Sequence, residues 1–181
     1  MIEKRLLGAL SIALCAALSG CATLSEGECK SVDWFNLGSE DANRGHDTGR
    51  LSNHMDACEQ FGVTPDGAAY AAGHRNGLKL FCTTERGLDY GRDGKYYRDT
   101  CPSEVEREFL RGYEVGKEIN DTETELDTLT KRINGYEKDL DDEEDDDKRK
   151  DLRRKIDNAD DDRRRLRRRL DDLERDARRL N

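Results

Sequence analysis

Residues 118–181 constrain this chain most. They carry 23 acidic and 18 basic side chains in 64 positions, with one glycine (Gly135) and no proline or cysteine. So charged a stretch cannot fold round a core of its own. Its apolar residues fall at Ile119, Thr122, Leu126, Leu129, Ile133, Tyr136 and Leu140, then at Leu152, Ile156, Ala159, Leu166, Leu170, Leu173, Ala177 and Leu180, with Arg163 in the remaining slot. Steps of three and four are the signature of a coiled-coil seam. The twelve residues from Leu140 to Leu152 turn the second seam about 120° from the first at roughly 100° per residue. Two structures satisfy that slip: one unbroken helix, or a helical hairpin turning in the acidic run 141–147. Like charges four apart weaken a helix, but the run holds no glycine or proline to demand a turn. The unbroken helix is favoured, reaching about 115 Å over 104–180 at 1.5 Å per residue. Asn134-Gly135 is a weaker place for a break.

Charge outside the seam alternates in blocks, which permits ladders of pairs along one helix or between helices. Arg163-Arg164-Arg165-Leu166-Arg167-Arg168-Arg169 resembles a nucleic-acid patch when read alone. Its acidic neighbours and the net charge of −9 favour a solvated helix surface, with no nucleic acid as partner.

The other end of the chain has the layout of an export leader. Lys4 and Arg5 precede a thirteen-residue apolar run, Leu6 to Leu18, which ends at Ser19-Gly20-Cys21. A bilayer-crossing helix needs about 20 residues, so a permanent span is disfavoured, as is an ordinary signal cut after small residues. Leu18-Ser19-Gly20-Cys21 resembles the lipobox of bacterial lipoproteins, which implies removal of 1–20 and acylation (palmitate-type chains) of Cys21. Two or more acyl chains hold stably where one does not. Ala22, in place of an aspartate, resembles lipoproteins sent to the outer membrane, facing the periplasm. Residues 21–28 are then expected to be a lipid-anchored linker, 29–117 a cysteine- and glycine-rich module, and 118–181 a charged coiled coil.

Besides Cys15 and Cys21 the chain has Cys29, Cys58, Cys82 and Cys101. An even count in a small exported domain reads as two disulfides, with three connectivities open. Cys29–Cys58 and Cys82–Cys101 are preferred because each closes a local loop. The spacings lack any CxxC pair, so a zinc site is disfavoured. Three stretches share the spacing aromatic, +3, +7: Phe35/Gly38/Ala42, Tyr70/Gly73/Gly77 and Phe109/Gly112/Gly116. On helices these fall on one face. Glycine inside a helix costs about 1 kcal/mol against alanine, so its recurrence points to close helix packing, with a glycine-lined ligand groove as the alternative. Residues 87–97, with glycines every few positions and adjacent tyrosines, favour turns and short extended pieces. Ser103 is a natural N-cap for the next helix, with Glu104, Glu106 and Glu108 at its positive end. Trp34 is expected to tie the N-terminal segment to the module.

Several blocks follow in order: Asp33-Trp34; His54 with Ala57-Cys58; Tyr70 to Leu78 and Cys82; Gly91-x-x-Gly94-x-x-Tyr97 before Cys101-Pro102; and Phe109-x-x-Gly112-Tyr113-x-x-Gly116. Over residues 29–117 they resemble an uncharacterised family of Gram-negative envelope lipoproteins, domain of unknown function 2799. The resemblance implies a fold, lipidation and a following coiled coil, but no catalytic residue. One departure is Asp41-Ala42, where an Asp-Gly pair is expected.

The sequence carries no Gly-x-Ser-x-Gly, phosphate-binding loop or His-Glu-x-x-His. His46, His54 and His74 are the titratable candidates near neutral pH. His54 and Cys58 stand four apart and could pair as base and nucleophile, unless Cys58 is in a disulfide. The expectation is a mainly α protein with no catalytic residue, no metal and no cofactor. It would be a membrane-anchored envelope lipoprotein whose residues 118–181 self-associate or engage an envelope partner. The alternative is a small-ligand or metal-binding module at the membrane surface.

Overall fold

The computed structural model describes residues 23–180; the leader and Cys21 lie outside them. The described residues form seven helices and no strand.

Within the expected linker, the described residues 23–28 enter the fold. Leu24 is buried, and Ser25 opens α1 (Glu26–Ser31) with a capping box: its hydroxyl accepts from Glu28 N–H while the Glu28 carboxylate accepts from Ser25 N–H at 2.7 Å. Then come α2 (Trp34–Asn43), α3 (Arg50–Glu59), α4 (Gly67–Phe81) and α5 (Thr84–Arg92). Asp33, Asp66 and Thr83 cap α2, α4 and α5 by accepting from backbone N–H groups three residues on. The long α6 (Ser103–Asp142) begins on Ser103 itself, with Pro102 as its N-cap in place of the serine. The last helix is α7 (Asp146–Leu180).

Disulfides join Cys29 to Cys58 and Cys82 to Cys101, with Cα separations of 5.5 and 5.7 Å. Trp34 packs with Leu24, Cys29, Cys58, Phe61 and Val63, as the sequence suggests.

The repeated glycines are helix contacts. A Cβ on Gly38 would overlap the carbonyl oxygen of Tyr70; one on Gly73 would overlap that of Phe35, and one on Gly77 that of Ser39. Residue 35 therefore faces 73 and 39 faces 77, so α2 and α4 run parallel with each glycine seated on a carbonyl of the other. Ala42 explains the departure noted above: its methyl is fully buried and faces the gap left by Gly77.

The third strip, Phe109/Gly112/Gly116, pairs with a stretch expected to be turns. Residues 84–92 are helical, and Gly87 and Gly91 meet the carbonyls of Phe109 and Tyr113 while Gly112 and Gly116 meet those of Thr84 and Leu88. This pair is parallel too. The glycines that suggest turns in isolation are there for backbone contact, and tertiary packing overrides their local preference. Only the tail of that stretch turns, at Gly94, whose φ is +66°. The module thus repeats one unit twice: cysteine, helix, cysteine, helix, with a disulfide before each parallel pair. The ends of the units meet in an aromatic core of Phe81, Tyr97 and Phe109 with Tyr90 and Tyr113 against it.

The expected unbroken helix over 104–180 is broken at 143–145, and the two halves form a hairpin. Ile119 packs with Leu170, Leu173 and Ala177, and Ile133 with Ile156, Ala159 and Leu166, so the seams face each other antiparallel. The acidic run turns the chain without glycine or proline. Asp145 Oδ1 accepts from the N–H groups of Asp147 and Lys148, both at 3.0 Å, and so caps α7. Asp146 and Asp147 then sit at the positive end of that helix, where acidic charge is favourable. Arg149 reaches back and donates to the carbonyls of Leu140 and Glu143 at 2.7 and 2.6 Å, closing the end of α6.

Candidate functional site

The polar residues most deeply enclosed in the module are Asp41, His54, His74 and Tyr70, each no more than 3 % exposed. The 3.6-residue period puts His54 on the inner face of α3 with Ala57 and Cys58. Tyr70 and His74 lie one turn apart on α4, and Asp41 precedes Ala42 on α2. Asp41 Oδ2 accepts from the Tyr70 hydroxyl at 2.8 Å and stands 2.8 Å from His54 Nε2. The other ring nitrogen, Nδ1, is 2.8 Å from Thr23 Oγ1, which also donates to the Asn53 carbonyl at 3.1 Å. A threonine hydroxyl has one proton. The Asp41 carboxylate can only accept, so Nε2 is the ring nitrogen that donates toward it. This assignment follows from the network, not from observed hydrogens.

The network joins the N-terminal segment to α2, α3 and α4. Burial of so many polar groups is tolerable only when each is paired. Burial, and then the bond to Asp41, pushes the Tyr70 hydroxyl well above its ordinary value. His74 Nε2 meets the backbone carbonyl of His46 at 2.8 Å. Burial, reinforced by Arg50, lowers His46.

The order threonine, histidine, aspartate resembles a nucleophile relay in its spacing. A relay needs the hydroxyl to donate to the imidazole; here the Asn53 carbonyl, 3.1 Å from Thr23 Oγ1, competes for that proton. Cys58, the other candidate nucleophile, has its sulfur bonded to Cys29. His54 has both ring nitrogens engaged. Among the described residues no group of three or more His, Cys, Asp or Glu side chains is placed to hold a metal. Cys21, the expected lipidation site, lies outside the described residues.

The second unit has its own polar joint. Tyr97 donates to Glu106 at 2.9 Å and accepts from Cys101 N–H at 3.0 Å. Burial is the main cause pushing its hydroxyl up to about 12. A cleft of about 670 Å³ lies elsewhere, at the hairpin tip, lined by residues that include Asp139, Asp142, Asp147, Asp151, Lys148 and Lys155. It is a charged, solvent-open notch far along the chain from the histidines.

Sequence reasoning finds the histidines and the cysteines but misses Asp41, Tyr70 and Thr23 as their partners, which stand 13, 16 and 31 residues from His54 in the chain. The usable signal is His54 sharing the buried face of Ala57 and Cys58. No helix among the described residues is long and apolar enough to cross a membrane. No curated protein and no solved structure matches the chain. Residues 33–118 match a family described as a protein of unknown function, DUF2799, and span both parallel helix pairs with both carbonyl-seated glycine strips. Over this stretch the chain is similar to the DUF2799 family.

Proposed function

We propose that this is a membrane-anchored envelope lipoprotein, acylated at Cys21 and facing the periplasm, that presents its helical hairpin to another envelope protein in a non-catalytic, structural role. The leader, the lipobox-like Leu18-Ser19-Gly20-Cys21 and the disulfides support export to an oxidising compartment. The observation that carries the interaction role is the hairpin itself. Its apolar seams are spent on each other, and its outward faces are charged. Arg154, Arg164, Arg165 and Arg175 each pair with an aspartate three residues earlier. Such a rod offers a partner alternating charge, while an exposed seam calling for a second copy is not available.

Exposed surface ion pairs add little to stability, so so dense a ladder is better matched to solubility and recognition. Photo-crosslinking residues placed at exposed Glu137 and Arg153 in intact cells test this. The expected result is an adduct with a second envelope protein. An adduct of twice the chain mass indicates self-association instead, and no adduct at either position refutes the interaction role. Intact mass of the purified protein tests the anchor: the leader should be absent and acyl mass present.

A further inference from the structure

We infer that the exposed face of α3 around Asn53 is the surface that the module lays against a phospholipid bilayer, one with zwitterionic headgroups; this rests on the lipid anchor at Cys21 proposed above. The chain leaves no slack after the anchor. Thr23 donates to Asn53 O at 3.1 Å and meets His54 Nδ1 at 2.8 Å. Leu24 is only 8 % exposed, packed with the Cys29–Cys58 disulfide. The capping box of α1 begins at Ser25. The chain is therefore held in place from Thr23 onward.

Thr23 is two residue steps from Cys21, with only Ala22 between them, a reach of about 7 Å at full extension. Acyl chains on Cys21 lie among lipid tails, which sets that residue at headgroup level. Asn53, in contact with Thr23, is then within roughly one residue-length beyond the same reach of the surface. No free tether separates the folded module from its anchor.

The exposed residues there are Ser52, Asn53, Met55 and Asp56. Met55 is 47 % exposed, an apolar side chain without cover. On α1 and α3 together Glu26, Glu28, Asp56 and Glu59 outnumber Lys30 and Arg50, and Lys30 is paired with Glu26. An anionic leaflet would repel this end, and a zwitterionic one would accept it.

Single-tryptophan proteins test the inference. In full-length lipidated protein with Trp34→Phe, a probe is placed as Asn53→Trp, and separately as Met55→Trp in case the first disturbs folding. Each is reconstituted in phosphatidylcholine vesicles carrying nitroxide-headgroup phosphatidylcholine. A parallel set carries twelve Gly/Ser residues between Ala22 and Thr23, a linker whose mean reach is about 20 Å. Quenching should fall by about threefold or more with that linker, as its reach lifts the probe from the surface. Equal quenching with and without the linker, or none in either, overturns the proposal when acyl mass is present, and leaves the anchor standing. Absence of acyl mass overturns the anchor and this proposal together.

Discussion

Gly112 and Gly135 lie on the same helix, α6, and make the sharpest test of the packing. A Cβ on Gly112 would overlap the Thr84 carbonyl oxygen and stand 2.8 Å from Leu88 N, so both obstacles are backbone of α5 and neither can rotate away. A Cβ on Gly135 meets nothing within 4 Å. Alanine in either position gains about 1 kcal/mol of helix propensity. At Gly135 that gain stands alone, and Gly135→Ala should raise Tm by about 2–4 °C for a chain of this size. At Gly112 overpacking costs about 1–3 kcal/mol, occasionally more. Rigid backbone on the facing side puts Gly112→Ala at the upper end of that cost, so its net effect is a loss of about 2 kcal/mol. The two variants should therefore move thermal unfolding of the oxidised protein, followed by helix signal, in opposite directions. If Gly112→Ala stabilises as Gly135→Ala does, the parallel helices are not in backbone contact and the reasoning fails.

Asp41→Ala leaves Tyr70 and His54 buried without their acceptor, and should cost about 3–5 kcal/mol in urea unfolding. Replacing both Cys82 and Cys101 by serine should cost roughly 3 kcal/mol, since the bond closes a loop of 19 residues; a change under 1 kcal/mol would contradict the disulfide. Tyr97 and Tyr70 ionise above the ordinary tyrosine value in the folded state, Tyr97 at about 12. Stability they contribute is present below pH 10 and is lost as pH rises toward 12, because the unfolded chain releases those protons first. Absorbance at alkaline pH should show Tyr70 and Tyr97 ionising late, and their replacement by phenylalanine should remove that late phase. Backbone N–H donors hold Glu143 and Asp145 below the usual carboxylate value. The hairpin turn is therefore supported above that range and weakens as pH falls through it, and Asp145→Ala should lower hydrogen-exchange protection in the first turn of α7.

Much of this architecture is legible in the residues. The spacing aromatic, +3, +7 marks three contact strips because a helix face recurs at that period, and both hairpin seams show in their heptads. The fourth strip, Thr84/Gly87/Gly91, keeps the same spacing but has threonine for the aromatic and sits in a glycine-rich stretch, so local preference points to turns. Three strips that need partners are themselves a sign of a fourth. Phe35, unlike Tyr70 and Phe109, does not fill the core and is 41 % exposed, so the aromatic is the less binding part of the pattern. The break at 143–145 is hidden because its signals are acidic caps and an arginine four residues on, and no glycine or proline accompanies them. The Asp41–His54–Tyr70 cluster is assembled from three helices, and nothing local announces it.

A strip of glycines has no teeth. Helices that touch through bare backbone take little of their register from side chains within the strip itself. In the second unit Cys82 and Cys101 sit just before the first turns of α5 and α6, so their bond pins both helices at their starting ends. Reduction would remove that tie and leave the register to side chains flanking the strip, Tyr90 on Phe109 and Asn120 donating to the Arg92 carbonyl.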